Sequence, residues 1–326
     1  MPANLTPDYE RAEQRYRQAV GDDEKLDALR EMLATVPKHK GTEKIQADLK
    51  RRISQLRKAA AHKASAKGLD LFHVPKGGAG QVVLVGLPNC GKSMIVAATT
   101  NAPVKVADYP YTTAVPAPGM WRYEDVQIQL VDTPPLTAEH VPPGLMGTIN
   151  YADVLCLVVD GAAGPLEQAE TLTAIMSARG LVLRSVPRAE LDHEDFSQHS
   201  AILVVNKVDL ASREDVAALG DLYAGRLDVL GVSAVSGEGL DELARRLWRL
   251  LAVIRVYTKE PGRAPDHARP FTLELGSTVE DLARLIHREL PEKMKFARIW
   301  GDGRFSGQQV HRTEALKDKD VVEIHQ

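Results

Sequence analysis

Residues 82–93 read VVLVGLPNCGKS, and this stretch decides the fold of the chain. Four apolar residues form a candidate strand, and a GxxxxGKS turn follows before a helical stretch. Glycines allow backbone N–H groups to point at an anion, and the N-terminus of the next helix adds a favourable dipole. In such a turn Lys92 reaches the β- and γ-phosphates of a nucleotide, and the Ser93 hydroxyl ligates Mg²⁺. The motif therefore predicts a phosphate-binding loop.

Short apolar runs alternate with helical stretches after this loop. The predicted strands and helices are 81–85, 92–100, 126–131, 154–159, 202–205 and 240–253. Strands that alternate with helices are typical of a mainly parallel sheet with helices on both faces. In such sheets the binding loops lie at the carboxyl ends of the strands, where the polar motifs of this chain fall. We therefore expect an α/β fold.

A second polar motif, NKVD, occupies residues 206–209 at the end of a predicted strand. It resembles the NKxD motif by which the GTPase superfamily recognises guanine. The Asp209 carboxylate can accept hydrogen bonds from the ring N–H and the exocyclic amine of guanine, and adenine lacks this pair of donors. Ser233-Ala234 resembles the supporting guanine loop, in which the Ala234 amide faces the base oxygen. Together with the phosphate loop, these motifs predict GTP and GDP as the ligands.

The loops define the nucleotide contacts that we expect. These are Gly86, Pro88, Asn89, Cys90, Gly91, Lys92, Ser93, Met94, Asn206, Lys207, Asp209, Ser233, Ala234 and Val235. Lys92 is also a catalytic candidate, because its charge can stabilise the phosphates during transfer. We interpret Cys90 as a filler of the loop and not as a redox switch.

The elements expected to support hydrolysis are less regular. DYPYTTAVP (residues 108–116) resembles the first switch of Obg-like GTPases, and this resemblance implies that Thr113 closes on Mg²⁺ and the γ-phosphate. Asp132 stands where a DxxG motif normally begins, and is expected to hold Mg²⁺ through a water. The glycine of that motif is replaced by Pro135, which has no N–H to donate. Leu136 follows, where many small GTPases have a water-positioning Gln, so we expect an altered second switch.

Asn89 admits two interpretations. In the GxPNxGKS variant of the loop it resembles the K⁺ ligand of cation-stimulated GTPases, and K⁺ could neutralise charge as an arginine finger does. The alternative is that Asn89 only stabilises the turn of the loop. The sequence leaves both open.

The net charge of −3 averages over unlike segments. Residues 38–67 carry ten basic and two acidic side chains, whereas residues 68–266 carry 16 basic and 24 acidic ones. Helical apolar spacing predicts helices in the first 67 residues, including a basic arm formed by Lys44, Lys50, Arg51, Arg52, Arg57 and Lys58. Such an arm can contact RNA phosphates. A solvated coiled-coil face is the open alternative.

The pattern of strands and a helix in the last sixty residues predicts a separate small domain. A strand at 271–275 is followed by a helix that begins with a capping box at 277–280. Further strands are predicted at 296–300, 308–310 and 320–324. This order is typical of a β-grasp, ubiquitin-like fold, in which Phe296 and Trp300 are expected in the core.

These stretches together resemble the Obg/DRG branch of GTPases. Residues 269–271 (RPF), 276–283 (GSTVEDLA) and 296–301 (FARIWG) resemble the TGS domain of DRG-type proteins, and KGTEKIQADLKR (residues 40–51) resembles their N-terminal helical segment. The distance from Asp132 to Asn206 is only 74 positions. That is too short for the domain that DRG proteins insert into the GTPase, so we expect a relative without it.

The resemblance implies four segments. We expect an N-terminal helical hairpin or coiled coil at 1–75, a P-loop GTPase domain at 76–257, a linker at 258–267 and a TGS domain at 268–326.

The expected activity is Mg²⁺-dependent hydrolysis of GTP to GDP and phosphate. The resemblance implies association with the ribosome or structured RNA through the basic arm and the TGS domain. Since no intrinsic Gln or arginine finger is visible, we also expect an activating partner. No run of about 18 apolar residues occurs, so we expect a cytoplasmic protein without a membrane partner. We also expect that the protein does not bind DNA. The alternatives are a non-hydrolysing GTP/GDP-binding scaffold and a sensor of guanosine tetraphosphate.

Overall fold

The structure is a computed structural model. It describes residues 71–100, 115–192, 194–303 and 305–326. Of the first 70 residues it describes positions 9, 11, 12, 15, 16, 28, 29, 31–33, 35, 36, 49 and 52. The chain divides into two compact units, Met1–Leu71 and Phe72–Gln326.

The N-terminal unit is helical where it is described. Apart from Val36, every described position before residue 53 is in a helix. A small buried apolar cluster is formed by Tyr9, Ala12, Leu29, Met32, Val36 and Leu49. On the surface, Arg15 forms a 2.9 Å ion pair with Glu31. Of the predicted basic arm, Lys44, Lys50, Arg51, Arg57 and Lys58 lie outside the described residues, so the arm stays a prediction.

The first domain of the larger unit contains a seven-stranded sheet in the order β2-β3-β1-β4-β6-β5, with β7 also paired to β6. Its strands are β1 (Gln81–Gly86), β2 (Ala117–Tyr123), β3 (Val126–Asp132), β4 (Val154–Asp160), β5 (Val182–Arg184), β6 (Gln198–Asn206) and β7 (Val229–Gly231). Its helices are α1 (Lys92–Thr99), α2 (Leu145–Tyr151), α3 (Pro165–Ser177), α4 (Arg213–Tyr223) and α5 (Leu240–Leu251), with a 3₁₀ turn at Arg188–Glu190. Only β2 runs antiparallel to its neighbour.

Helices cover both faces of this sheet, as predicted. Alternate residues of the fully buried β1 enter two apolar clusters, with Val83 and Val85 on one face and Val82 and Leu84 on the other. The first face packs against α2, α3 and α4, and the second against α1 and α5. The continuous apolar strands of the sequence are explained by this burial on both sides.

The C-terminal domain has a five-stranded sheet in the order β11-β10-β12-β8-β9. Its elements are β8 (Val253–Thr258), β9 (Asp266–Glu274), α6 (Val279–Ile286), α7 (Leu290–Lys293), β10 (Phe296–Trp300), β11 (Gln308–Val310) and β12 (Asp320–His325). The capping box of α6 is Thr278 with Asp281, one residue later than the sequence indicated.

The boundary between these two domains differs from the expected one. Strand β8 falls in the range 76–257 that the sequence assigned to the GTPase domain, but it pairs with β9 and β12 of the C-terminal sheet. Residues 258–267 therefore join two paired strands and are not a linker between domains. Only Ala252 separates α5 from β8, so no loop marks the boundary in the sequence.

Phe296 and Trp300 are not in the core of the C-terminal domain. The core side of β10 consists of Ala297 and Ile299, and the two aromatic residues lie half-buried on the opposite face. Phe296 stacks on His325 with 4.4 Å between ring centroids. Lys259 Nζ lies 4.2 Å from the centroid of the Trp300 ring. The expectation from residue type was wrong because alternate residues of a strand face opposite sides.

Candidate functional site

The phosphate loop lies between β1 and α1, as predicted. Gly91 immediately precedes α1 with φ of 92°, and Asn89 adopts φ of 61°. A Cβ at Gly91 would lie 2.1 Å from Nδ2 of Asn206, and one at Gly86 would lie 2.4 Å from the carbonyl oxygen of Val158. Both glycines are therefore required by close packing against neighbouring strands, and Gly91 also by its left-handed backbone.

Lys92 is buried at the start of α1, with 6% of its surface exposed. Its Nζ donates to the carbonyl oxygens of Gly86 and Leu87 at 3.1 and 3.2 Å. The ammonium is thus held over the loop whose N–H groups would bind phosphate. A lysine has three donors, so contact with a phosphate does not require it to lose both carbonyl partners.

Ser93 and Asp132 meet at the carboxyl end of the sheet. The Ser93 hydroxyl donates to Oδ2 of Asp132 at 2.6 Å, and Asp132 is 1% exposed. A hydroxyl and a carboxylate are the kind of oxygen donors that Mg²⁺ takes beside nucleotide phosphates. The pair therefore fits the ion that the phosphate loop implies.

Asn206 connects the phosphate loop to the predicted guanine loop. Its Nδ2 donates to the carbonyl oxygen of Cys90 at 3.0 Å, and its Oδ1 accepts from the Ala234 amide at 3.2 Å. The side chain is 1% exposed. One amide therefore holds together two loops that are separated by more than 100 residues in the sequence.

Lys207 makes a second connection across the site. Its Nζ donates to the carbonyl oxygen of Asn89 at 2.9 Å and to Oδ2 of Asp160 at 2.5 Å. Asp160 was not among the candidates from the sequence. The sequence feature that could have identified it is its position at the end of β4, because the carboxyl ends of parallel strands share one edge of the sheet.

The Ser233–Val235 loop lies at the same edge. Ser233 is fully buried and its hydroxyl accepts from the Ser236 amide at 3.1 Å, whereas Val235 is 78% exposed. Asp209 is exposed. The sequence assigned the Ala234 amide to the base oxygen, but here this amide donates to Asn206, so a bound base would have to share or replace that acceptor.

The second switch is attached to the strand below the phosphate loop. The Leu136 amide donates to the carbonyl oxygen of Gly86 at 3.1 Å, and the Leu136 side chain is fully buried in the core. The Thr133 hydroxyl donates to the carbonyl oxygen of Leu84 at 2.6 Å. Leu136 therefore anchors this segment and presents no group that could orient a water.

Cys90 fills the loop, in agreement with its interpretation. It is fully buried, and burial raises the pKa of its thiol, an effect that the nearby Lys92 opposes. A protonated, buried thiol is a poor nucleophile.

Thr113 and the rest of the predicted first switch up to residue 114 lie outside the described residues. Asn89 is exposed and its backbone fits the turn, while K⁺ binding by its side chain stays a prediction.

Comparison with known families identifies two domains. The model of the family described as 50S ribosome-binding GTPase matches residues 81–207, and the model of the TGS domain matches residues 254–326. The second match begins at β8, in agreement with the observed sheet. The chain therefore combines a GTPase domain similar to that family with a C-terminal TGS domain.

Relatives along almost the whole chain support this assignment. An uncharacterized GTP-binding protein of Halobacterium salinarum is 29% identical, with 94% of this chain and 99% of the relative covered. Developmentally-regulated G-protein 1 of Arabidopsis thaliana is 28% identical, with 92% and 90% covered. Developmentally-regulated GTP-binding protein 2 of Homo sapiens is 27% identical, with 92% and 98% covered.

This chain is shorter than the relatives described above. The alignment with the Halobacterium protein extends over 369 residues, more than the 326 of this chain. The relative must therefore contain segments that are absent here. Within the described residues, no helix combines the length and apolar character needed to cross a membrane.

Proposed function

We propose that this protein is a DRG-type, Mg²⁺-dependent GTPase that hydrolyses GTP to GDP and phosphate at a low intrinsic rate. The observation that carries the proposal is the Asn206 side chain, which joins the phosphate loop at Cys90 to the guanine loop at Ala234. The loops expected to bind phosphate and guanine are thereby held next to each other. Such proximity supports the positioning on which phosphoryl transfer depends.

Each group has a defined role in this proposal. Lys92 and the loop N–H groups bind the phosphates and stabilise charge that develops on them. Asp209 accepts from guanine. Ser93 and Asp132 would hold Mg²⁺, with Thr113 as the further predicted ligand, and the ion supplies charge neutralisation when bound.

The low intrinsic rate follows from the second switch. Pro135 has no N–H for the γ-phosphate, and Leu136 uses its amide on Gly86 and its side chain in the core. We therefore propose that attack by water is promoted by a partner, or by K⁺ at Asn89. The partner we propose is the ribosome or a structured RNA, contacted through the basic arm and the TGS domain in the cytoplasm.

Single-turnover hydrolysis of GTP, with and without ribosomes, tests the activity. We expect slow turnover alone and faster turnover with ribosomes. Nucleotide binding without turnover under either condition would remove the enzyme proposal. Repeating the assay in KCl and NaCl tests Asn89, and equal slow rates would exclude stimulation by K⁺.

A second function is favoured by the anchored Leu136. A switch segment that is already fixed to Gly86 would respond little to the γ-phosphate, as in a GTP/GDP-binding scaffold that does not hydrolyse GTP. Equal affinities for GDP and a non-hydrolysable GTP analogue, with no turnover, would favour the scaffold. Displacement of GDP by guanosine tetraphosphate at lower concentration than by GTP would favour a sensor of that nucleotide.

Cosedimentation with ribosomes at increasing salt tests the partner. Neutralising Lys50, Arg51, Arg52 and Arg57 together should weaken cosedimentation, because contacts to phosphate are lost and fewer counterions are released. Unchanged cosedimentation would assign these charges to solubility.

A further inference from the structure

The β2–β3 hairpin connects the two segments expected to respond to nucleotide. Its strands pair in continuous register from Ala117 opposite Asp132 to Tyr123 opposite Val126. β3 ends at the Mg²⁺ candidate Asp132, and β2 begins four positions after Thr113 in the sequence. A displacement of the hairpin tip would therefore be transmitted along one ladder towards Asp132.

The tip of this hairpin is held by the C-terminal domain. Arg255 of β8, with 4% of its side chain exposed, donates from Nη1 to the carboxylate of Glu124 and, at 3.0 Å, to Asp125. Its Nε and Nη2 donate to Asp318 at 3.1 and 2.7 Å. The Tyr257 hydroxyl donates to Asp125. We call these five residues the hairpin clamp.

Further contacts fix the arginine at the centre of the clamp. The Arg255 guanidinium lies 4.9 Å from the centroid of the Trp248 ring of α5, a favourable cation–π arrangement. Lys319 adds a 3.4 Å ion pair with Glu124. A planar guanidinium suits this site because its donors can engage several carboxylates at fixed angles.

The backbone conformation of Glu124 indicates that its side chain has a role beyond forming the turn. Glu124 adopts φ of 50° in a two-residue connection, a left-handed conformation that favours glycine or asparagine. A glutamate there costs about 1 kcal/mol of backbone strain. The contacts with Arg255 and Lys319 explain why a carboxylate occupies this position.

The two halves of the hairpin have different neighbours along β3. β1 pairs with β3 only at Gln129–Val131, the half nearer to Asp132. Near the tip, β3 contacts the short segment around Gly78 and Ala79 on one side. The clamp supplies the charged contacts at the end of the hairpin.

We infer that Arg255 is a positioning residue for the nucleotide site, which holds the hairpin so that Asp132 is in place for Mg²⁺ with the triphosphate. This inference rests on the proposed binding of Mg²⁺ and GTP. Without the clamp the hairpin must be ordered when Mg²⁺·GTP binds, and that ordering lowers the affinity. Contacts made by Lys92, Asn206 and Asp209 do not pass through the hairpin.

The test uses the full-length chain with Glu124→Gly and Asp125→Asn combined. The Gly-Asn sequence suits a two-residue hairpin turn, so the variant removes both carboxylates without disfavouring the turn. Fluorescence titration should show about 5-fold or greater loss of affinity for a non-hydrolysable GTP analogue in Mg²⁺. Affinity for GDP in EDTA should be unchanged. Arg255→Lys should show a smaller loss of affinity for the analogue, because lysine keeps the positive charge. Some loss should remain, because lysine lacks the planar set of donors.

Glu274→Gln is the matched control. It removes the 3.2 Å ion pair with Arg188, which also joins the two domains but does not touch the hairpin. We expect it to leave both affinities unchanged. Equal losses in Mg²⁺ and in EDTA, an equal loss in the control, or no loss in the clamp variants would each overturn the inference. If the wild-type chain binds no guanine nucleotide, the proposed function fails as well. If the wild-type chain binds nucleotide and the clamp variants bind it equally well, only the inference about the clamp fails.

Discussion

Two regions of the molecule are held by different chemistry: the nucleotide edge, where Asn206 links Cys90 to Ala234, and the hairpin clamp. At the nucleotide edge, the neutral amide of Asn206 connects two loops and is buried with both of its polar atoms paired. At the clamp, Arg255 faces three carboxylates, and Glu124 remains about half exposed. A neutral buried amide responds little to salt or pH, whereas exposed charges respond to both. The difference suggests a permanent ligand framework and an adjustable connection between domains.

The strongest test of the nucleotide edge is Lys92→Ala. The variant should lose about 100-fold or more in nucleotide affinity, because charge-assisted hydrogen bonds to phosphate are lost. Isothermal titration with GDP measures this. Unchanged GDP affinity would contradict the assignment of the phosphate loop.

Asn206→Ala tests whether the framework depends on one neutral side chain. The change leaves the buried Cys90 carbonyl and Ala234 amide without this partner. The free energy of unfolding should therefore fall by about 2 kcal/mol or more. Urea denaturation at low and high NaCl measures the cost. A cost that changes strongly with salt would remove the contrast with the clamp.

Asp209→Asn tests base recognition at the exposed end of the same edge. The variant should bind GTP about 10-fold or more weakly and gain affinity for xanthosine triphosphate, because an amide complements a carbonyl where a carboxylate complements an amine. Competition titrations measure both, with ATP as the control nucleotide. Unaltered preference for guanine would show that Asp209 does not contact the base.

The smallest expected effect is the acid sensitivity of the clamp. The pKa of Glu124 is lowered by its hydrogen bond from Arg255. For Asp125, burial raises the pKa but hydrogen bonds from Tyr257 and Arg255 outweigh it, and the net pKa is lowered. Because both folded pKa values lie below the unfolded ones, their stabilisation is present above about pH 4 and is lost as pH falls through the lowered values.

Urea denaturation from pH 6 to pH 3 measures this loss against the Glu124→Gly, Asp125→Asn variant. The wild-type chain should be more stable at pH 6, and the difference should shrink towards pH 3. A difference that stays constant with pH would show that the two carboxylates do not stabilise the chain as charged groups.

Local patterns were sufficient to predict much of the fold. Strands β1, β4 and β6 contain continuous apolar runs, and the phosphate loop and NKVD lie at the ends of β1 and β6, so sheet geometry places them together. Motifs of this kind carry their chemistry in adjacent residues. For this reason Ser93 and Asp132 could be expected near one Mg²⁺ ion, whereas their direct hydrogen bond is seen only in the structure.

Contacts between distant segments could not be predicted in this way. Arg255 lies about 130 positions from the carboxylates at the hairpin tip, and nothing in its neighbours indicates them. Residue type alone places Phe296 and Trp300 in the core, whereas the alternation of β10 puts them on the opposite face. β8 was assigned to the wrong domain because it follows α5 without a turn motif.

The short junction between α5 and β8 has a practical consequence for separating the domains. Ala252 has a left-handed backbone with φ of 52°, and its carbonyl oxygen accepts from the Leu275 amide at 2.8 Å. A truncation after residue 257, which the sequence suggests, would leave β8 on the GTPase fragment without β9 and β12. Such an unpaired strand promotes aggregation, so a soluble fragment should instead end before Val253.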